Sequence, residues 1–79
     1  MVTLKYFGEL QELTKVSTEE IEANNIKAVL GYINRTYGKE VGNLAKSSLI
    51  TLNDGRVTHP KTICPSNSII RFHPFCSGG

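Results

Sequence analysis

Residues 25–38 are the segment that decides what this 79-residue chain can fold into. Ile26, Val29, Leu30, Ile33 and Tyr37 recur at helical spacing and make one apolar stripe. Asn25 stands where an N-cap side chain accepts from the open N–H groups of a first turn. Gly38 fits the position just past a helix end. Gly31 weakens the interior without outvoting the period. A helix with one apolar stripe must bury it against another layer, and the segments around it read as strands.

Residues 2–7 alternate cleanly, with Val2, Leu4 and Tyr6 on one face and Thr3, Lys5 and Phe7 on the other. Gly8 ends this strand, and residues 9–13 suggest a short helical turn. Residues 16–22 read as a second strand whose alternation breaks between Thr18 and Ile21. After the helix, a polar stretch over 39–47 leads to a third strand at 48–52. Asn53-Asp54-Gly55 marks a tight turn, because these residue types tolerate positive φ. Val57 belongs to the short return strand, and Pro60 and Pro65 punctuate a loop. The last strand, 68–73, puts Ile70 and Phe72 on one face and Arg71 and His73 on the other. One amphipathic helix over one face of a mixed sheet predicts an α+β two-layer roll. The length allows a single small domain near the lower limit for a self-sufficient core.

Hydrophobic residues make up 39% of the chain and charged residues 20%, which is globular rather than disordered. Nine Lys/Arg against seven Asp/Glu give a net charge of +2, and the basic residues form no run. That spread gives nucleic-acid binding little support. The sequence shows neither a membrane-length apolar stretch nor a signal peptide, so the expected location is cytoplasmic, with no membrane partner. Cys64 and Cys76 do not make a disulfide framework. With His59 and His73 they run His-Cys-His-Cys at spacings of five, nine and three residues, which matches no familiar zinc signature. Two reduced thiols and two ordinary histidines are expected, and no metal.

The sequence closes on Ser77-Gly78-Gly79. Two glycines make a strip of backbone without side chains, able to thread a narrow channel and present a carboxylate at its tip. A frayed end is the bland alternative.

The first strand VTLKYFGELQEL, the helix opening NIKAVLGYI, the turn LNDGRV and the ending IIRFHPFCSGG together resemble the MoaD/ThiS family of β-grasp sulfur carriers. Within that family the molybdopterin synthase small subunits look nearest, and the similarity covers essentially the whole chain. Two departures are Phe75, where relatives often carry a second proline, and Cys76, where an aliphatic or other small residue is more usual. The resemblance implies a ubiquitin-like β-grasp roll, with four to five strands on one main helix. It also implies one domain over 1–79, with 75–79 as a flexible tail.

What the family does then becomes the expectation for this chain. The carboxylate of Gly79 would be adenylated by an E1-like adenylyltransferase using ATP and Mg. Sulfur from a desulfurase/rhodanese system would replace the adenylate to give a thiocarboxylate. Gly78 would be the slim approach segment inside the partner channel. The receiving pocket would belong to the molybdopterin synthase large subunit, in molybdenum cofactor biosynthesis, and this chain would bind no cofactor itself. Sister possibilities are a carrier for thiazole formation or tRNA thiolation, or a ubiquitin-like modifier joined through Gly79 to lysines. A β-grasp binding module with incidental glycines is the alternative from another class.

The β-grasp layout sets the first and last strands parallel and adjacent. Alternation then gathers Phe7, His73 and Phe75 on the face away from the core, near the root of the tail. Exposed aromatics there suggest a docking patch, continued by Pro74, Cys76 and Ser77, with Arg56 and Arg71 as rim contacts. Five extended residues, Phe75 to Gly79, span roughly 17 Å, enough to enter a buried site. Nothing in the sequence shows the depressed thiol pKa that sulfur chemistry at Cys76 would need. His73 has no accompanying nucleophile, so no catalysis is assigned to it.

Overall fold

Alternation in the first and last strands translates directly into two sheet faces. The computed structural model describes residues 1–75. Its strands are β1 (Val2–Tyr6), β2 (Thr18–Ile21), β3 (Leu49–Leu52), β4 (Gly55–Arg56) and β5 (Ile69–His73). Three helices, α1 (Gly8–Thr14), α2 (Ile26–Tyr37) and α3 (Lys39–Ser47), complete it. The sheet order is β2-β1-β5-β3-β4. Its central pair, β1 and β5, is parallel, and the other pairs are antiparallel. This mixed five-stranded sheet with helices is the expected α+β roll.

Val2, Leu4 and Tyr6 from β1 and Ile70 and Phe72 from β5 are buried on the inner face. They pack with Ile26, Val29 and Ile33 of α2, Leu10 of α1, and Val41 and Ala45 of α3. Each Val, Leu, Ile or Phe side chain among them is worth roughly 1.5–3 kcal/mol when fully removed from water. The helix α2 has the expected bounds because its signals are local. Asn25 Oδ1 accepts from the Ala28 N–H at 2.8 Å, and the Gly38 N–H donates to the Asn34 carbonyl at 3.0 Å.

The polar stretch over 39–47 is a correction: it folds as α3, with Gly38 at φ 102° both closing α2 and opening α3. Its apolar stripe is short, so most of its helical signal comes from what it packs against. At Gly42 a Cβ would stand only 3.1 Å from the Asn34 Cα, so the absence of a side chain lets α2 and α3 approach closely.

Smaller corrections concern strand ends. The strand β2 is shorter than 16–22, and Val57 lies just beyond β4. Even so, the Val57 N–H donates to the Ile50 carbonyl at 2.9 Å and extends the pairing of β3 by one bond. Asn53, at φ 51°, makes the turn between them, and its Oδ1 accepts from the Ile69 N–H at 2.9 Å. Among the described residues, no helix is long and apolar enough to cross a membrane.

Candidate functional site

The parallel pairing of β1 with β5 sets the site. The register places Tyr6 opposite Phe72, so the next residues, Phe7 and His73, emerge together on the outer face. Their rings stack with centroids 4.5 Å apart and planes 9° apart, within the range of favourable aromatic packing. Phe7 keeps 37% of its surface exposed and Phe75 keeps 64%. Leu49 pairs with His73 from the β3 side and is half-buried.

Pro74 closes over the start of α1. Gly8 has φ +57°, a left-handed backbone that suits glycine, and a Cβ there would lie 3.6 Å from Pro74 Cγ. The chain leaving β1 and the chain leaving β5 therefore pass against each other. Phe7, His73 and Pro74 form one group around that crossing, and Phe75 follows it outward. Cys76, Ser77, Gly78 and Gly79 lie outside the described residues.

Arg71 and Arg56 lie in a separate row, one step back along the strands. Lys5 pairs with Arg71, Arg71 with Thr51, and Thr51 with Arg56. The nearest Arg71–Asp54 approach is 3.9 Å, and the Asp54 side chain is fully exposed, so this contact adds little stability.

Beneath the exit lies a group that sequence reasoning missed. The Glu19 carboxylate accepts from three phenols: Tyr6 at 2.6 Å, Tyr32 at 2.7 Å and Tyr37 at 2.7 Å. Tyr6 also packs on Phe72 with ring centroids 5.8 Å apart, and meets Tyr37 edge-on at 6.2 Å. The available signal was the broken alternation in the second strand. Glu19 pairs with Leu4, so it occupies a core-facing slot where an apolar residue is expected. The period of two holds, with a carboxylate in an inward position.

This cluster suppresses phenol ionisation. Burial first, then the bond to Glu19, raises the Tyr6 and Tyr37 pKa values well above the ordinary tyrosine range. For Tyr32 the bond to Glu19 comes first and burial second. The folded values are raised, so the contribution to stability is complete below the unfolded pKa near ~10. It is lost as pH climbs above that point, because unfolded phenols release protons that folded ones retain. The urea midpoint is therefore expected to fall above about pH 10, with tyrosinate absorbance appearing together with unfolding. Full tyrosinate formation in a still-folded chain near that pH would refute the account.

Cys64 is buried in the core, and burial raises its thiol pKa, which makes it a packing residue. His59 Nδ1 accepts from the Lys61 N–H at 3.1 Å and shapes a loop. Among the described residues, no three His, Cys, Asp or Glu side chains converge as a metal site. The site offers an aromatic surface at a firmly held exit point.

No protein-family model and no curated protein matches the sequence. Solved structures do match. Against the complex of subunits 1 and 2 of molybdopterin-converting factor from Helicobacter pylori 26695, identity is 24%, with 99% of this chain and 97% of that chain covered and a TM-score of 0.72. Against the BexX/CysO complex from Amycolatopsis orientalis, identity is 13%, coverage is 100% of both chains and the TM-score is 0.81. Against Urm1 from Trypanosoma brucei, identity is 14%, with 99% and 94% covered and a TM-score of 0.75. These likenesses lie below 25% identity and establish the fold: the ubiquitin-like β-grasp of MoaD/ThiS-type proteins.

Proposed function

We propose that this chain is a sulfur carrier that acts as the small, sulfur-donating subunit of a molybdopterin synthase. The observation that carries the reading is the course of β5. It leaves the sheet beside the Phe7–His73 stack and sends Pro74-Phe75 outward, four residues before Gly79. In this reading the Gly79 carboxylate attacks the α-phosphate of ATP on an E1-like adenylyltransferase, and pyrophosphate leaves. A sulfide equivalent from a desulfurase/rhodanese system then displaces AMP and leaves a thiocarboxylate. The large subunit receives the tail, and sulfur passes from Gly79 to the pterin precursor.

The chemistry explains the platform. A carboxylate is a poor electrophile until adenylated, and both reacting ends must meet inside another protein's pocket. A slim tail on a firm base satisfies both needs, since ordering a tail on binding costs less when its root is already held. Two of the structural matches are complexes of two named components, subunits 1 and 2 in one and BexX and CysO in the other, which favours a hetero-oligomeric role here as well.

The test is the intact mass of the chain isolated from its native host. Replacement of one oxygen by sulfur at Gly79 is the expected result. Only unmodified chain, in cells holding ATP and a competent activating enzyme, would overturn the proposal. A branched peptide joining Gly79 to a lysine would assign the chain to protein modification instead.

A further inference from the structure

Between α2, α3 and the loop over 57–61 runs a groove in which the Phe7–His73–Pro74 group takes no part. Lys27, Gly31 and Asn34 repeat at helical spacing along α2, and Gly42 and Lys46 along α3, so each helix presents one wall. The cavity measures about 490 Å³ and is lined from the loop by Pro60 and Lys61. A second hollow of about 200 Å³ shares Leu30, Lys46 and Pro60 with it and adds Ile26, Ile50 and Val57. Small-molecule sites commonly enclose about 300–1,000 Å³, apolar for the most part with a few polar groups to orient the ligand.

The loop wall is held in place. The Lys27 N–H donates to the Pro60 carbonyl at 2.8 Å and the Ile26 N–H to the Thr62 carbonyl at 3.1 Å. The Thr62 hydroxyl donates to the His59 carbonyl at 2.7 Å. With the Asn25 cap on Ala28, these bonds occupy the first N–H groups of α2. An anion in the groove therefore meets lysine side chains and not an open helix end.

Charge in the groove has one sign. Neither hollow is lined by Asp or Glu. Glu9, Glu12, Glu19, Glu20 and Glu22 all fall in the first 22 residues, leaving Glu40 and Asp54 for the rest of the chain. Among the described residues the ion pair is Arg71–Asp54, so Lys27, Lys46 and Lys61 have no carboxylate partner there. Three like charges around one cavity repel, and a bound anion relieves that repulsion.

We propose that this groove binds a small organic phosphate. Lys27, Lys46 and Lys61 surround the phosphate, and an apolar body lies over Leu30 and Pro60 toward Ile50 and Val57. An ammonium group is a point charge that suits phosphate from any direction. The lysines come from three different elements around one hollow, so their charge gathers at a place and does not track a line. That arrangement favours one phosphate group over the backbone of a nucleic acid, which calls for a stripe of cations. The binding is separate from the tail chemistry and stands whether or not Gly79 carries sulfur.

The experiment titrates the full chain with 1-naphthyl phosphate, which joins one phosphate to one apolar body, and follows amide NMR signals and calorimetric heat. Saturable shifts are expected in α2, α3 and residues 57–61, with affinity at least tenfold above that of inorganic phosphate or 1-naphthol alone. Raising the salt should weaken binding about threefold or more. The double variant Lys46→Glu, Lys61→Glu should lose at least tenfold in affinity. Lys39→Glu, at an exposed position outside the lining, should bind as wild type does. If the double variant unfolds, Lys61→Ala in the exposed loop reads the same loss at about threefold.

No saturable shift at millimolar ligand would overturn the proposal, as would unchanged affinity in the folded double variant. Affinity no better than that of inorganic phosphate would overturn the two-part site. Binding confined to vesicles containing phosphatidylglycerol, or to a single-stranded oligonucleotide, would give the lysines to a membrane or a nucleic acid instead and overturn it too. None of these results alters the mass expected at Gly79, so the carrier reading stands or falls separately.

Discussion

Replacing Glu19 with alanine is expected to cost about 2–4 kcal/mol of folding stability. Three phenols donate to that one carboxylate, and hydrogen bonds to a charged group are each worth about 1.5–3 kcal/mol. The three do not simply add. Tyr32 and Tyr37 are half-buried and recover part of their bonding from water, whereas Tyr6 is 1% exposed and is left with a buried donor. For a domain whose whole stability is of order 5–15 kcal/mol, that loss is large. The melting midpoint should fall by at least ~10 °C. Glu19→Gln keeps the size and one acceptor oxygen and should fall between wild type and alanine. A loss in Glu19→Ala of less than about 1 kcal/mol would show that the phenols find water freely. Tyr6 lies directly under the tail root, so the same substitution should also loosen the Phe72–Tyr6 packing that holds β5 against β1.

The second large effect is expected at the aromatic surface. Changing Phe7 and Phe75 together to aspartate should weaken the complex with the proposed large subunit by about 100-fold or more, roughly 3 kcal/mol. Exposed aromatics that anchor an interface lose both buried area and dry surroundings when they become charged. The fold itself should change by about 1 kcal/mol or less, because both side chains already face solvent to a considerable degree. Titration calorimetry with the purified large subunit separates these outcomes. An unchanged affinity would remove Phe7 and Phe75 from the docking surface, while a collapse of the thermal transition would show that the Phe7–His73 stack is structural.

These two sites differ in how visible they were before folding. Phe7 and His73 were assigned to one face by counting residues along two strands, and the outward aromatic pair needed only the parallel pairing of those strands. The tyrosine cluster left only the broken alternation of the second strand, at Glu19, as its mark. Tyr6, Tyr32 and Tyr37 are spread over 32 positions of sequence, and each reads by itself as ordinary apolar surface. The second helix of the layer was hidden for a related reason. Residues 39–47 carry only Val41, Leu44 and Ala45 as apolar side chains, too few to declare a period, and their helix draws on the close approach at Gly42.

Local physics therefore determined what one segment can decide alone. The cap at Asn25, the stripe of α2 and the two faces of β1 and β5 follow from hydrogen-bonding groups and side-chain periods within a dozen residues. The ending in two glycines belongs to the same category, as a chemical possibility written in the chain. The tertiary structure decided everything that depends on register between distant strands. It set Phe7 against His73, brought three phenols to one carboxylate, and aligned Lys5, Arg71 and Arg56 in a row. Such groupings arise only when segments apart in sequence meet in one particular alignment, and a one-residue slip of a strand would move its own side chains to the opposite face of the sheet.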